Sequence, residues 1–194
     1  MLTTAALGSR TLVIGLDANA AAMAEASRRA ARPARKGGLA NAAFILAAAE
    51  APPPELCGAA HRVSVLFPWG SLLRGCVGGD ARVAAGVAGL VAPGGTLELL
   101  LAPSVRDGLD GLPLEPDELV TGVRSAFDGF GLDMALARSA SDAEVRDSGS
   151  TWARRLGSQR PTDRRVMLMR LVRPHGAAPR VGGFEMDGSI GTGA

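Results

Sequence analysis

The sequence predicts an α/β fold with a mainly parallel sheet. Three observations carry this. Apolar runs of strand length alternate along the 194 residues with segments of helical periodicity, and that alternation builds parallel sheets. The run Thr11-Leu-Val-Ile-Gly-Leu-Asp17 is apolar until its final acid, the pattern of a strand covered on both faces. The length suits one ordinary domain with a sizeable core.

Each element follows from local chemistry. Thr11 to Asp17 is the first strand. Ala18 to Ala31 is an Ala-rich helix with Asn19 as its cap, ended by Pro33 and Gly37-Gly38. Ala42 to Ala47 is the second strand, and Pro52-Pro53-Pro54 a rigid connection. Arg62 to Phe67 is the third, broken by Pro68-Trp69-Gly70. Ser71 to Val77 and Asp80 to Val91 read as helices. Pro93-Gly94-Gly95 turns the chain into the strand Thr96 to Leu101. Pro116 to Phe127 has proline near its first turn and Leu119, Val120, Val123 and Phe127 on one face, so it is a helix. Leu132 to Ala137 is strand-like. Ser141 to Leu156 is helical with a break near Gly149, and Arg165 to Val172 is the last strand. From Pro174 the chain is rich in Gly and Pro, and residues 174–194 are expected to be a flexible tail on a domain spanning 1–173.

Composition narrows the function. The longest apolar run, Ala42 to Ala49, is far short of a membrane span. The start lacks a secretion signal, and two cysteines, Cys57 and Cys76, make no disulfide framework, so a cytoplasmic protein is expected. His61 and His175 are isolated, and no metal site is expected. Net charge is only +2, but Arg28, Arg29, Arg32, Arg35 and Lys36 form one basic cluster, and Arg154, Arg155, Arg160, Arg164 and Arg165 a second. Local clusters on a nearly neutral chain point to a polyanion site. Solvated helix faces are the competing reading.

Ligands on such sheets bind beyond the carboxyl ends of the strands. Asp17 sits there, where a carboxylate can accept both hydroxyls of a ribose; a helix cap is the alternative. Glu50 follows Ala47-Ala48-Ala49, small residues that leave room for a flat ring with the carboxylate near its exocyclic amine. An ordinary loop acid reads equally well. Phe67-Pro68-Trp69-Gly70-Ser71 is more specific: proline stiffens the exit of the strand, and Trp69 beside a Pro-Gly turn can stack on a base. Ser150-Thr151-Trp152-Ala153-Arg154-Arg155 places the second tryptophan beside two guanidiniums, a face and charges for an extruded nucleotide. A core tryptophan with snorkelling arginines is the alternative there.

Taken in order, Ile14-Gly-Leu-Asp17, the basic helix with Pro33 and Lys36-Gly-Gly-Leu-Ala-Asn41, Ala47-Ala-Ala-Glu50, Leu66-Phe-Pro-Trp-Gly-Ser-Leu-Leu73 and Ser150-Thr-Trp-Ala-Arg-Arg-Leu156 resemble the aminoglycoside-resistance 16S rRNA adenine-N1 methyltransferases. The resemblance runs from about Thr11 to Val172. It implies a Rossmann-like class I methyltransferase sheet and S-adenosylmethionine as cofactor. Asp17 would bind the cofactor ribose, and Ala49 and Glu50 would frame its adenine. Trp69 and Trp152 would sandwich the target adenine, with Pro68, Ser71 and Ser150 lining that pocket. Arg28, Arg29, Arg32, Arg155 and Arg160 would hold phosphates of 16S rRNA in the 30S subunit, and the protein is expected to act as a monomer. A catalytically impaired RNA-binding remnant and a small-molecule methyltransferase are the competing functions.

One feature departs from the family pattern. Its members begin with a strand and an Asp-x-Gly-x-Gly loop, and the ten residues before Thr11 hold no such loop. The absent strand would lie mid-sheet, leaving two strands without a shared partner and with exposed edges. The expectation is an N-terminally truncated domain read from too late a start, with a degenerate remnant or a rebuilt cleft as the alternatives.

Overall fold

The computed structural model describes residues 5–6, 10–103, 111, 115–150 and 165–177. Among the described residues six strands form two sheets. Strands β1 (Val13–Asp17) and β2 (Ala42–Leu46) pair in parallel, with Val13 opposite Ala42 and Asp17 opposite Leu46. The second sheet has the order β3-β4-β6-β5, from β3 (Ala60–Leu66), β4 (Val91–Leu101), β5 (Asp133–Ser139) and β6 (Met167–Val172). β3 and β4 are parallel, whereas β6 runs antiparallel to both β4 and β5. The mainly parallel sheet predicted from sequence therefore contains one reversed strand. Among the described residues β1 pairs only with β2 and β3 only with β4. The strand that the resemblance places between them has no counterpart there.

The helices lie close to their predicted positions. α1 (Ala20–Ala30) is capped by Asn19, whose side chain accepts from the amides of Ala21 and Ala22. α2 (Gly70–Cys76) and α3 (Ala81–Gly89) follow β3, and Asp80 caps α3 by accepting from the Arg82 amide. α4 (Pro116–Asp128) buries Leu119, Val123 and Phe127 on the expected face. α5 (Asp142–Asp147) starts at a capping box in which the Ser141 hydroxyl accepts from the Glu144 amide and the Glu144 carboxylate accepts from the Ser141 amide. The longer helix expected from Ser141 stops here, because Gly149 turns at φ 66°; its remainder lies outside the described residues.

The core shows why the strands read as apolar. Leu97, Leu99 and Leu101 of β4 and Met169 and Leu171 of β6 pack with Leu73, Cys76, Val83, Val87, Leu119, Val123 and Phe127 from α2, α3 and α4. The opposite face holds a smaller cluster, Phe67, Leu100 and Leu168, bordered by Leu136 and Val145. On that less covered face Glu98 and Arg170 sit opposite each other across β4 and β6 and form an ion pair at 2.9 Å. β1 and β2 are only half-buried, and Leu12 and Leu46 are exposed.

One further expectation is corrected. β4 begins at Val91, inside the expected helix, and the register jumps from Ala60–Val91 to Arg62–Thr96, so residues 92–95 bulge from the ladder. Pro93 has no amide to donate, which forces the interruption. Just after Pro174 the His175 ring packs over Gly94, where a Cβ would collide with it. The tail from residue 178 onward lies outside the described residues.

Burial pushes the Cys76 thiol up to about 12, whereas Cys57 is exposed. A maleimide reagent at mildly alkaline pH is expected to label one thiol per native chain and both after denaturation. Two labels on the native protein would contradict the packing of α2 against α3.

Candidate functional site

The candidate residues lie at the C-terminal ends of β1, β2 and β3. Pairing of β1 with β2 sets Asp17 beside Leu46, and the Ala47 amide donates to the Asp17 carbonyl at 3.1 Å, which brings the Ala47-to-Glu50 segment alongside Asp17. Asp17 is exposed, and its Oδ1 accepts from the Asn19 amide at 2.8 Å. Asn19 itself caps α1, so the capping role that competed for Asp17 belongs largely to its neighbour. The amide bond orients the carboxylate and leaves Oδ2 for a ligand.

Ala47, Ala48 and Ala49 are half-buried and Glu50 is exposed. Ala49 packs against the main core, which makes this loop a firm floor of small side chains. An oriented carboxylate beside such a floor fits a ribose and a flat purine, the nucleoside part of S-adenosylmethionine. No glycine-rich turn adjoins β1 or β3 among the described residues, and the residues that match the cofactor are those facing its nucleoside part.

At the end of β3 the backbone is strained. Phe67 adopts φ 50°, the one non-glycine residue with positive φ among the described residues. For a bulky residue this costs roughly 1–2 kcal/mol. It is held there by burial in the smaller cluster and by donation from its amide to the Leu100 carbonyl at 2.8 Å. The reversal at Phe67, locked by Pro68 and relieved at Gly70 (φ 58°), swings Trp69 out of the fold. Trp69 is 79% exposed, an unusual position for the largest apolar side chain and a suitable one for stacking. Pro68 is half-buried beside it and Ser71 is exposed in the first turn of α2.

The third segment begins after α5. Arg138 of β5 donates to Glu144 through both terminal nitrogens, at 2.9 Å and 2.6 Å. This guanidinium, with the Ser141 amide and hydroxyl, holds the Glu144 carboxyl well below the usual carboxylate range. The pinned helix delivers the chain to Ser150, which is half-buried and whose amide donates to Ser148 Oγ at 3.3 Å. Trp152, Arg155 and Arg160 lie outside the described residues.

Arg28, Arg29 and Arg32 are exposed at the far end of α1, and Arg28 is partly engaged by Glu25 at 3.1 Å. Eleven helical residues span about 16 Å, so these guanidiniums stand well away from Asp17 and Glu50. The structure groups them as a separate face, suited to an extended polyanion. A hollow of about 420 Å³ lies beneath them, lined by Ser27, Arg32, Leu39 and Phe44. It is at the N-terminal end of β2, opposite the candidate cofactor floor.

β6 runs antiparallel between β4 and β5, and the fold is the Rossmann-like one of class I methyltransferases, as the solved structures it matches show. A family model described as "NpmA: 16S rRNA (adenine(1408)-N(1))-methyltransferase" matches residues 1–172, and the chain belongs to that family. It is 34% identical over 154 residues to the 16S rRNA (adenine(1408)-N(1))-methyltransferase of Streptoalloteichus tenebrarius, covering 77% of this chain and 71% of the relative. It is 35% identical to an rRNA methyltransferase of Saccharopolyspora hirsuta, covering 71% of this chain and 91% of the relative. Among solved structures, the 16S rRNA methyltransferase KamB matches with TM-score 0.78 and 31% identity, over 89% of this chain and 81% of that one. A tryptophan-to-alanine variant of the Catenulisporales acidiphilia enzyme, solved with cosubstrate SAM, matches with TM-score 0.78 and 32% identity, over 92% and 82%.

Two features of the site and its support were not read from the sequence. The positive φ of Phe67 could have been suspected from its place between a strand and a proline. Nothing local announced the Arg138–Glu144 pair, since it joins residues of different elements.

Proposed function

We propose that this chain transfers a methyl group from S-adenosylmethionine to N1 of adenine 1408 of 16S rRNA, acting as a monomer on the 30S subunit in the cytoplasm. The observation that carries the reading is Trp69, thrust into solvent by the strained Phe67-Pro68 turn in a chain of this family.

The cofactor supplies an electrophilic methyl group. Asp17 accepts from the ribose hydroxyls, and Ala49 and Glu50 frame the adenine. Trp69 stacks on the extruded target base, with Trp152 on its other face, while Pro68, Ser71 and Ser150 close the pocket edge. Base extrusion costs a few kcal/mol, and stacking offsets it at about 1–3 kcal/mol per base. Adenine N1 has a free lone pair, so the protein need only hold it in line with the methyl group; no general base is required. Arg28, Arg29 and Arg32 contact phosphates of the rRNA, as do Arg155 and Arg160. The methylated adenine is cationic and repels cationic aminoglycosides.

Incubating the chain with tritiated S-adenosylmethionine and 30S subunits is expected to label 16S rRNA. Retention of RNA without label would favour the RNA-binding remnant and contradict this reading.

A further inference from the structure

Helix α3 lies against the cofactor loop and against α2, the helix that Trp69 caps, and each contact is made through a glycine. Toward the acceptor loop, Gly75 of α2 faces Val83 of α3 so closely that a Cβ at Gly75 would strike the Val83 side chain. Trp69 is the N-cap of that same α2. Toward the cofactor loop, Gly86 faces the backbone of Ala49 and Glu50. A Cβ at Gly86 would collide with the Ala49 carbonyl oxygen and lie 3.0 Å from the Ala49 carbonyl carbon and 3.2 Å from the Glu50 Cα. The obstacle is backbone, so no side-chain rotation can relieve it.

Arg82 lies one turn before Gly86, on the same face of α3. It donates to the Asp80 carboxylate at 3.0 Å and 3.3 Å, and the Glu50 backbone meets the same helical face at Gly86. One helical face thus presents a notch and a cation to the loop that frames the adenine. Gly86 is an interior helical position where alanine would ordinarily favour the helix, so glycine there has a reason other than helix formation.

We propose that Gly86 and Arg82 are positioning residues for cofactor recognition: the notch at Gly86 seats the Ala49 carbonyl and Arg82 orients Glu50, so that α3 sets the adenine-framing loop against the acceptor loop. The inference rests on the assignment of Ala49 and Glu50 to the cofactor adenine. Neither residue touches the reacting atoms; both act through the loop. A seat of this kind controls binding of the adenine ring and leaves the in-line transfer geometry largely unchanged.

The test compares wild type, Gly86→Ala and Arg82→Gln by calorimetry with S-adenosylhomocysteine and S-inosylhomocysteine, and by methyl-transfer kinetics on 30S subunits. Gly86→Ala is expected to weaken S-adenosylhomocysteine binding and raise KM for S-adenosylmethionine by about tenfold, with kcat changed less than about threefold. It should also lose part of the preference for adenine over hypoxanthine, which a purely structural defect would not remove selectively. Arg82→Gln, an exposed change that preserves the fold, is expected to weaken binding about threefold with the same loss of preference. If Gly86→Ala does not fold, Arg82→Gln alone decides. Binding and preference within twofold of wild type in the folded variants would overturn the proposal. Wild type that binds neither ligand would instead overturn the cofactor assignment on which it rests.

Discussion

Trp69→Ala is expected to slow methyl transfer to 30S subunits by about 5- to 150-fold while leaving the melting temperature nearly unchanged. The indole is 79% exposed, so its removal deletes little packing. Stacking on an extruded base is worth about 1–3 kcal/mol, which converts to that range of rate. The loss should appear in kcat/KM for the RNA, with KM for the cofactor unaffected, because the cofactor floor belongs to β1 and β2. Trp69→Phe should restore much of the rate, since it keeps an aromatic face. Wild-type rates in Trp69→Ala would show that the loop at the end of β3 does not hold the acceptor.

Arg173→Met is expected to have the largest effect on stability. Arg173 is fully buried. Its guanidinium donates to the Val91 carbonyl at 2.9 Å, the Ala88 carbonyl at 2.8 Å and the Phe130 carbonyl at 3.2 Å. It thereby ties the end of α3, the start of β4 and the turn after α4 to the end of β6. Burial pulls its pKa down, but an arginine stays charged. Removing the fork leaves three carbonyls without that donor, at about 1–3 kcal/mol each where they stay dry. A net loss of about 4 kcal/mol lowers the melting temperature of a domain this size by about 10 °C. Arg173→Lys should recover less than half, because an ammonium cannot reproduce the planar fork. A shift under about 2 °C would mean that water replaces the guanidinium.

The local parts of this fold were legible. Asn19 and Asp80 announced their helices through side chains that cap the next amides, and Pro116 with its apolar stripe announced α4. Asp17, Glu50 and Trp69 were identifiable because parallel sheets expose their carboxyl ends. What could not be read is long-range. The reversal of β6 depends on pairing with β4 and β5, which no periodicity encodes. The bulge at Pro93 arises from a register jump against β3. Arg173 resembled one more surface arginine until three carbonyls from distant segments converged on it. Gly86 was one glycine among 26, and only the approach of Ala49 gives it meaning. The capping box at Glu144 and its bidentate partner on β5 emerged only from the structure.

The central claim is that this chain methylates one atom of one base. Nucleoside mapping of 16S rRNA after reaction of 30S subunits with the protein and S-adenosylmethionine tests it most directly. A single added methyl is expected, on N1 of adenine 1408. An unmodified adenine there, or a methyl on another atom or nucleotide, would contradict it.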